Sequence, residues 1–222
     1  MEITSVPREK QERWWGQWEE PQRYYTKYLN VEGIAIIGCD NVPDNAFYRA
    51  KDIILQVTSK HLQFRRDLSR VRLMLAAQGT GIQNLPELRE FRGSPFGCSH
   101  ISTDGIVQFC AAVVEWEGHP NMGVLTHELG HAIAPSISKI EPNFESLLNQ
   151  AYGRAAESGA WADDWFFSQG KWEYWAECVR MWTHDVGTGR RFETKEAFIE
   201  HDPGLPGILD NWLPAGDIPY EY

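Results

Sequence analysis

Two rhythms of apolar and polar positions divide the chain. Val31 to Cys39, Val71 to Ala77 and Ile106 to Trp116 are short, nearly continuous apolar runs bounded by turn residues. They predict buried strands. Asp40, Asn41 and Pro43 end the first run, Gly79 and Gly81 the second, and Gly105 precedes the third. Between the first two, Phe47, Ala50, Ile53, Ile54 and Val57 repeat at helical spacing, so 44–61 predicts a helix that Asp44 can cap. Residues 89–104, with Gly93, Pro95 and Gly97, read as loop. Further helices are predicted around the apolar stretch 124–133, over 144–157 and over 171–184. The tail from Asp202 carries Pro203, Pro206, Pro214 and Pro219 and predicts short turns over the surface. In the first thirty residues Trp14, Trp18 and Tyr25 are spaced for one aromatic face packed on the main body. Residues 1–30 thus read as an aromatic appendage and 31–222 as a single domain. Some three strands followed by some four helices make an α+β fold with segregated elements.

The helix at 124–133 carries the chemistry. His127-Glu128-Leu129-Gly130-His131 is an H-E-x-x-H string. Residues four apart share a helical face, so His127 and His131 can ligate one zinc ion. Glu128 then lies beside the metal, placed to take a proton from water there. Leu125, Leu129, Ala132 and Ile133 make this a helix buried on one side rather than a solvated one bearing two histidines. Gly130 is a poor helix former, so something packs close to its backbone. A third ligand is needed. Position 137 is Ile, not the further histidine of the longer metzincin motif, and Ala134 stands where that motif has glycine. Glu173 and Glu177, four apart in an apolar and aromatic helix, supply two carboxylates on one face. One can bind zinc while the other holds a ligand imidazole through its free N–H. The plainer interpretation, an amphipathic helix with a solvated acidic stripe, weakens sharply beside the upstream H-E-x-x-H string.

H-E-L-G-H-A-I at 127–133, Leu147 to Tyr152, and Glu173-Tyr174-Trp175-Ala176-Glu177 resemble the gluzincin peptidases related to the anthrax lethal factor catalytic domain and the Pro-Pro endopeptidases. Weaker likenesses are Val31 to Ile37, Asn45 to Ala50, Leu85 to Leu88, and Arg92 to Gly97, which looks like a Gly-rich crossover. The resemblance spans roughly residues 31 to 213. It implies a zincin-like fold, a small mixed sheet packed on helices with the zinc cleft between them. It also implies Glu173 as the third ligand, Glu177 in support, and a sheet edge able to pair with an extended substrate. The segment 106–115 is the candidate edge. The family usually carries a tyrosine seven residues before the ligand glutamate, and Phe166 stands there instead. A phenylalanine donates no hydrogen bond, and losing one oxyanion donor commonly costs about a hundredfold or more. Tyr174, His184 and Tyr152 are candidate substitutes, and His184 is a candidate catalytic residue.

Composition narrows the partners. The 222 residues include 21 basic and 31 acidic, a formal net charge of −10 with no basic block. That argues against nucleic acid and against an anionic membrane surface. No apolar run reaches membrane-spanning length. The polar start lacks the core of a signal peptide. With Met1 as the native start the expected location is cytoplasmic; a removed leader would make it secreted. Cys39, Cys98, Cys110 and Cys178 form no C-x-x-C pair and permit two disulfides or four thiols. Cys178 points away from the metal face. Trp161, Trp165, Trp172 and Trp175 crowd the region before and within the helix over 171–184; most read as core, with one or two able to form an aromatic wall of a substrate pocket. Three functions stay in play: a zinc hydrolase of peptides or amides, a zinc enzyme of a small metabolite, and a zinc-bearing binder. An intact Glu128 argues against the last. The substrate is a peptide or small molecule, and the oligomeric state is open.

Overall fold

The structure, a computed structural model, describes residues 1–77, 81–101, 107–116, 119–120, 122–184 and 191–216. Its elements in chain order begin with helices α1 (Arg8–Trp15) and α2 (Glu19–Tyr24), then strands β1 (Lys27–Val31) and β2 (Ile34–Gly38). Helices α3 (Asp44–Val57) and α4 (Leu62–Leu68) follow, then β3 (Arg72–Ala76), β4 (Gly97–Ile101) and β5 (Val107–Val113). A two-residue ribbon, β6 (Glu115–Trp116) and β7 (His119–Pro120), leads to α5 (Gly123–Ile140). The rest is α6 (Phe144–Ser158), α7 (Trp165–Ser168), α8 (Lys171–His184), α9 (Lys195–His201) and α10 (Pro206–Trp212). The fold is α+β, with a five-stranded open sheet in the order β1-β2-β3-β5-β4. The pairs β2–β3 and β3–β5 are parallel; β1–β2 and β4–β5 are antiparallel.

The continuous apolar runs follow from a sheet buried on both faces. Along β2, Ile34 and Ile36 join the core beneath the helices, while Ala35 and Ile37 join a second core on the opposite face. Leu73 and Leu75 alternate with Met74 and Ala76 in the same way. The N-terminal segment covers that second face. Trp15 stacks on Tyr25 with ring centroids 5.3 Å apart. The Trp15 indole N–H and the Tyr25 hydroxyl both donate to Glu87 at 2.7 Å.

Several expectations are corrected. Val31 to Cys39 is not one strand: Glu32 and Gly33 adopt positive φ, 50° and 96°, and turn β1 into β2. Asp44 does not cap its helix; Pro43 occupies the cap, and Asp44 pairs with Lys27 at 2.8 Å. The helix from 44 stops at Val57, and α4 begins at Leu62. The buried N-terminal aromatics are Trp15, Tyr25 and Tyr28, whereas Trp18 is exposed. The tail folds into α10, with Leu205, Leu209 and Leu213 fully buried. Helices lie between strands as well as after them. The loop expected over 89–104 contains β4, which forms one edge of the sheet. The expected edge segment, 106–115, is the interior strand β5, its first residue lying outside the described ones. The other edge, β1, is bridged by Thr4. No helix among the described residues is long and apolar enough to cross a membrane. All four cysteines are free thiols, Cys110 and Cys178 buried.

Candidate metal centre

Helix α5 continues through Pro135 to Ile140, and its middle turns are buried. It packs closely on α8 because Gly130 carries no side chain: a Cβ there would lie 2.9 Å from the Ala176 Cα. Trp175 locks the contact by donating its indole N–H to the Gly130 carbonyl at 2.9 Å. Close approach of the two backbones brings the motif histidines and the α8 carboxylates together.

His127 Nε2 lies 3.1 Å from Glu173 Oε2, and His131 Nε2 lies 3.4 Å from Glu173 Oε1. His127, His131 and Glu173 offer ligand atoms that all fall within 4.8 Å of one another, a group that can hold a metal ion. Tetrahedral ligands about 2.0–2.1 Å from a metal stand roughly 3.3–3.4 Å apart, so the two nitrogen–oxygen separations fit such a centre. The donor chemistry fits too, since two imidazoles and one carboxylate suit zinc-type ions. The His127 contact also has hydrogen-bond geometry, the imidazole donating to Glu173.

Glu177 reaches the other side of His127. Its Oε2 lies 3.2 Å from Nδ1, and it also accepts from Arg180 Nε at 2.9 Å. This arrangement leaves His127 Nε2 aimed at Glu173. Burial alone would push the His127 imidazole down, but hydrogen bonds to Glu173 and Glu177 outweigh it and hold it up at about 9. Burial would raise the Glu177 carboxyl, yet His127 and Arg180 hold it down at about 2. Bonds from His127 and His131 hold Glu173 well below the usual carboxylate range.

Glu128 is buried, and burial pushes its carboxyl up against the opposing pull of His127, His131 and the Ser99 hydroxyl. Ser99 donates to Glu128 Oε2 at 2.8 Å. Gly97, two residues earlier on β4, leaves room for the same carboxylate: a Cβ there would lie 2.6 Å from Oε1. Ser99 went unnoticed in the sequence because a lone serine in a glycine-rich stretch carries no signal. Gly97 was visible only as part of that stretch.

Phe166 lies at the centre, its ring centroid 4.9 Å from that of His127. The three candidates for its missing hydroxyl are engaged elsewhere. Tyr174 is buried and donates its hydroxyl to Asp202. Tyr152 donates to the Phe167 carbonyl at 3.1 Å. His184, expected to reach the cleft, is fully buried with Nε2 2.6 Å from Thr126 Oγ1. Of the four tryptophans, Trp161 and Trp175 are core, while Trp165 and Trp172 are exposed. Cys178 is packed in the core, as its position on the helix predicts. His100 stacks on Phe109, and His201 lies against Trp161, both away from the motif helix in the contacts they make.

Compared with known proteins, the chain matches no family model, no curated protein and no solved structure.

Proposed function

We propose that the protein is a zinc-dependent hydrolase of the gluzincin type, cleaving a peptide or amide bond with Glu128 as general base. The observation that carries this reading is the convergence of His127 and His131 Nε2 on the two oxygens of Glu173, with the Glu128 carboxylate on the same helix as the histidines. His127, His131 and Glu173 hold the ion, and Glu177 fixes His127 in the tautomer that ligates through Nε2. Bound zinc supplies Lewis acidity toward a carbonyl and toward water. Glu128 takes the proton of the attacking water and passes it to the leaving amine. Its burial suits the first of those tasks, since a carboxylate whose pKa is raised by desolvation is a stronger base than an exposed one. The zincin-like fold belongs to the same proposal, with β4 rather than 106–115 as the edge available to an extended substrate.

One observation favours a second reading, a zinc enzyme of a small metabolite. Phe166 packs on His127 where the resembled peptidases carry a hydroxyl, and Tyr152, Tyr174 and His184 are bonded elsewhere. The two readings separate on one experiment. Zinc-loaded protein is incubated with a mixed peptide library and the products are read by mass spectrometry, with Glu128→Gln as control. The first reading expects cleavage that falls about a hundredfold to ten-thousandfold in Glu128→Gln. Zinc-loaded protein that cuts no peptide would turn the assignment to the second reading. Cleavage equal in both proteins would remove Glu128 as base.

A further inference from the structure

Strand β4 presents residues 97 and 99 to the same side, because alternate strand residues share a face. Both meet Glu128. The Ser99 hydroxyl donates to Oε2 at 2.8 Å. At residue 97, a Cβ would stand 2.6 Å from Oε1, 2.7 Å from Val124 Cγ1 and 3.1 Å from the Ala111 carbonyl oxygen. Each carboxylate oxygen therefore meets the edge strand, one through a hydrogen bond and the other through a space that only glycine leaves open.

Ser99 has one proton and three acceptors in reach: Glu128 Oε2 at 2.8 Å, the Glu128 carbonyl at 3.0 Å and Cys110 Sγ at 3.2 Å. The carbonyl lies inside α5, where intrahelical bonding is open to it. Sulfur is a weak acceptor. The carboxylate wins, since bonds to a charged oxygen are roughly twice as strong as neutral ones. Glu128 is only 5% exposed, so little water is available to orient it in place of the strand.

We propose that Gly97 and Ser99 form a cradle on the edge strand that sets the position of the Glu128 carboxylate, which makes Ser99 a positioning residue for the reaction. This rests on the reading of Glu128 as the base. It gives the strand a second task beyond closing the sheet, and it explains a glycine and a serine at inward positions where apolar residues would otherwise serve.

The test compares Ser99→Ala and Ser99→Thr with wild type and Glu128→Gln, all zinc-loaded. Three quantities are measured: zinc affinity, affinity for acetohydroxamic acid, and steady-state hydrolysis of a cleaved peptide. The hydroxamate chelates the metal and donates its hydroxyl to a correctly placed Glu128, so it reports placement without turnover. Ser99→Ala is expected to keep zinc affinity, to bind hydroxamate several-fold more weakly, and to lose about ten- to a hundredfold in kcat with KM little changed. Ser99→Thr, which retains the hydroxyl, is expected to restore both. A fall in hydroxamate affinity for Ser99→Ala, rescued in Ser99→Thr, supports the cradle even if no peptide is cut, and in that case the hydrolase reading fails alone. Hydroxamate affinity and kcat equal to wild type in Ser99→Ala would overturn the cradle. Loss of zinc together with hydroxamate would also overturn it, because the serine would then support the fold rather than the carboxylate.

Discussion

Gly130→Ala should loosen the metal centre although it touches no ligand. Two effects oppose each other. Replacing glycine by alanine in a helix interior favours folding by about 0.8–1.0 kcal/mol. Against it, the new Cβ would stand 2.9 Å from the Ala176 Cα, 3.2 Å from the Val179 Cβ and 3.4 Å from the Ala176 Cβ. The nearest atom is backbone and cannot rotate aside, so α8 has to move as a body. Overpacking of this kind costs about 1–3 kcal/mol, so the clash wins by about 1 kcal/mol. For a chain of this size that lowers the melting temperature by about 2–4 °C. The larger consequence falls on the metal, because Glu173 moves with α8 while His127 and His131 stay on α5. Metal–ligand distances tolerate only about 0.2 Å, so zinc affinity should fall about tenfold, about 1.4 kcal/mol. Thermal denaturation with chelator and with zinc, together with competition against a chelating dye, measures both. A variant more stable than wild type that binds zinc equally well would refute the close-packing argument.

Three further outcomes follow from the same geometry. Glu173→Ala should yield metal-poor protein, while Glu177→Ala should keep zinc with affinity or activity down about 10–100-fold; collapse of zinc binding in Glu177→Ala alone would reverse the two roles. Zinc binding at pH 7.5 should release close to one proton, because the His127 imidazole is protonated below about 9 in the metal-free centre and has to give up its Nε2 proton to ligate. Apparent affinity should therefore rise as pH rises toward 9, and calorimetry in buffers of different ionisation enthalpy reads the proton count. Asp202→Ala should destabilise by about 2–4 kcal/mol, since Trp161 Nε1 at 2.7 Å and the Tyr174 hydroxyl both donate to that buried carboxylate; urea denaturation checks it.

The residues that hold the centre were legible because a helix imposes its spacing on the sequence. His127 and His131, and likewise Glu173 and Glu177, stand four apart, and Gly130 announced a close neighbour that turns out to be α8. The edge strand was not legible. Gly97-Cys98-Ser99-His100-Ile101 has no apolar alternation, because its inward residues serve Glu128 rather than a hydrophobic core. The tail misled for the opposite reason. Its prolines read as breakers, yet Pro206 starts α10, and Leu205, Leu209 and Leu213 recur at helical spacing beneath it. At the N-terminus Tyr25 is buried as its spacing predicts, but Trp15 takes the place of Trp14 and Trp18 is exposed, because Gly16, with φ of 56°, divides the stretch into two short helices. His184 shares the helical face of Glu173 and Glu177, but that face runs on into the interior, where Thr126 meets it.

The proposed activity stands or falls on the metal. Purified protein is equilibrated with buffered zinc, freed of excess ion and measured by mass spectrometry of the element, alongside His127→Ala, His131→Ala and Glu128→Gln. The centre built from His127, His131 and Glu173 predicts one zinc per chain in wild type and in Glu128→Gln, and almost none in either histidine variant. Wild-type protein without zinc, or a zinc content unchanged in His127→Ala, would contradict it.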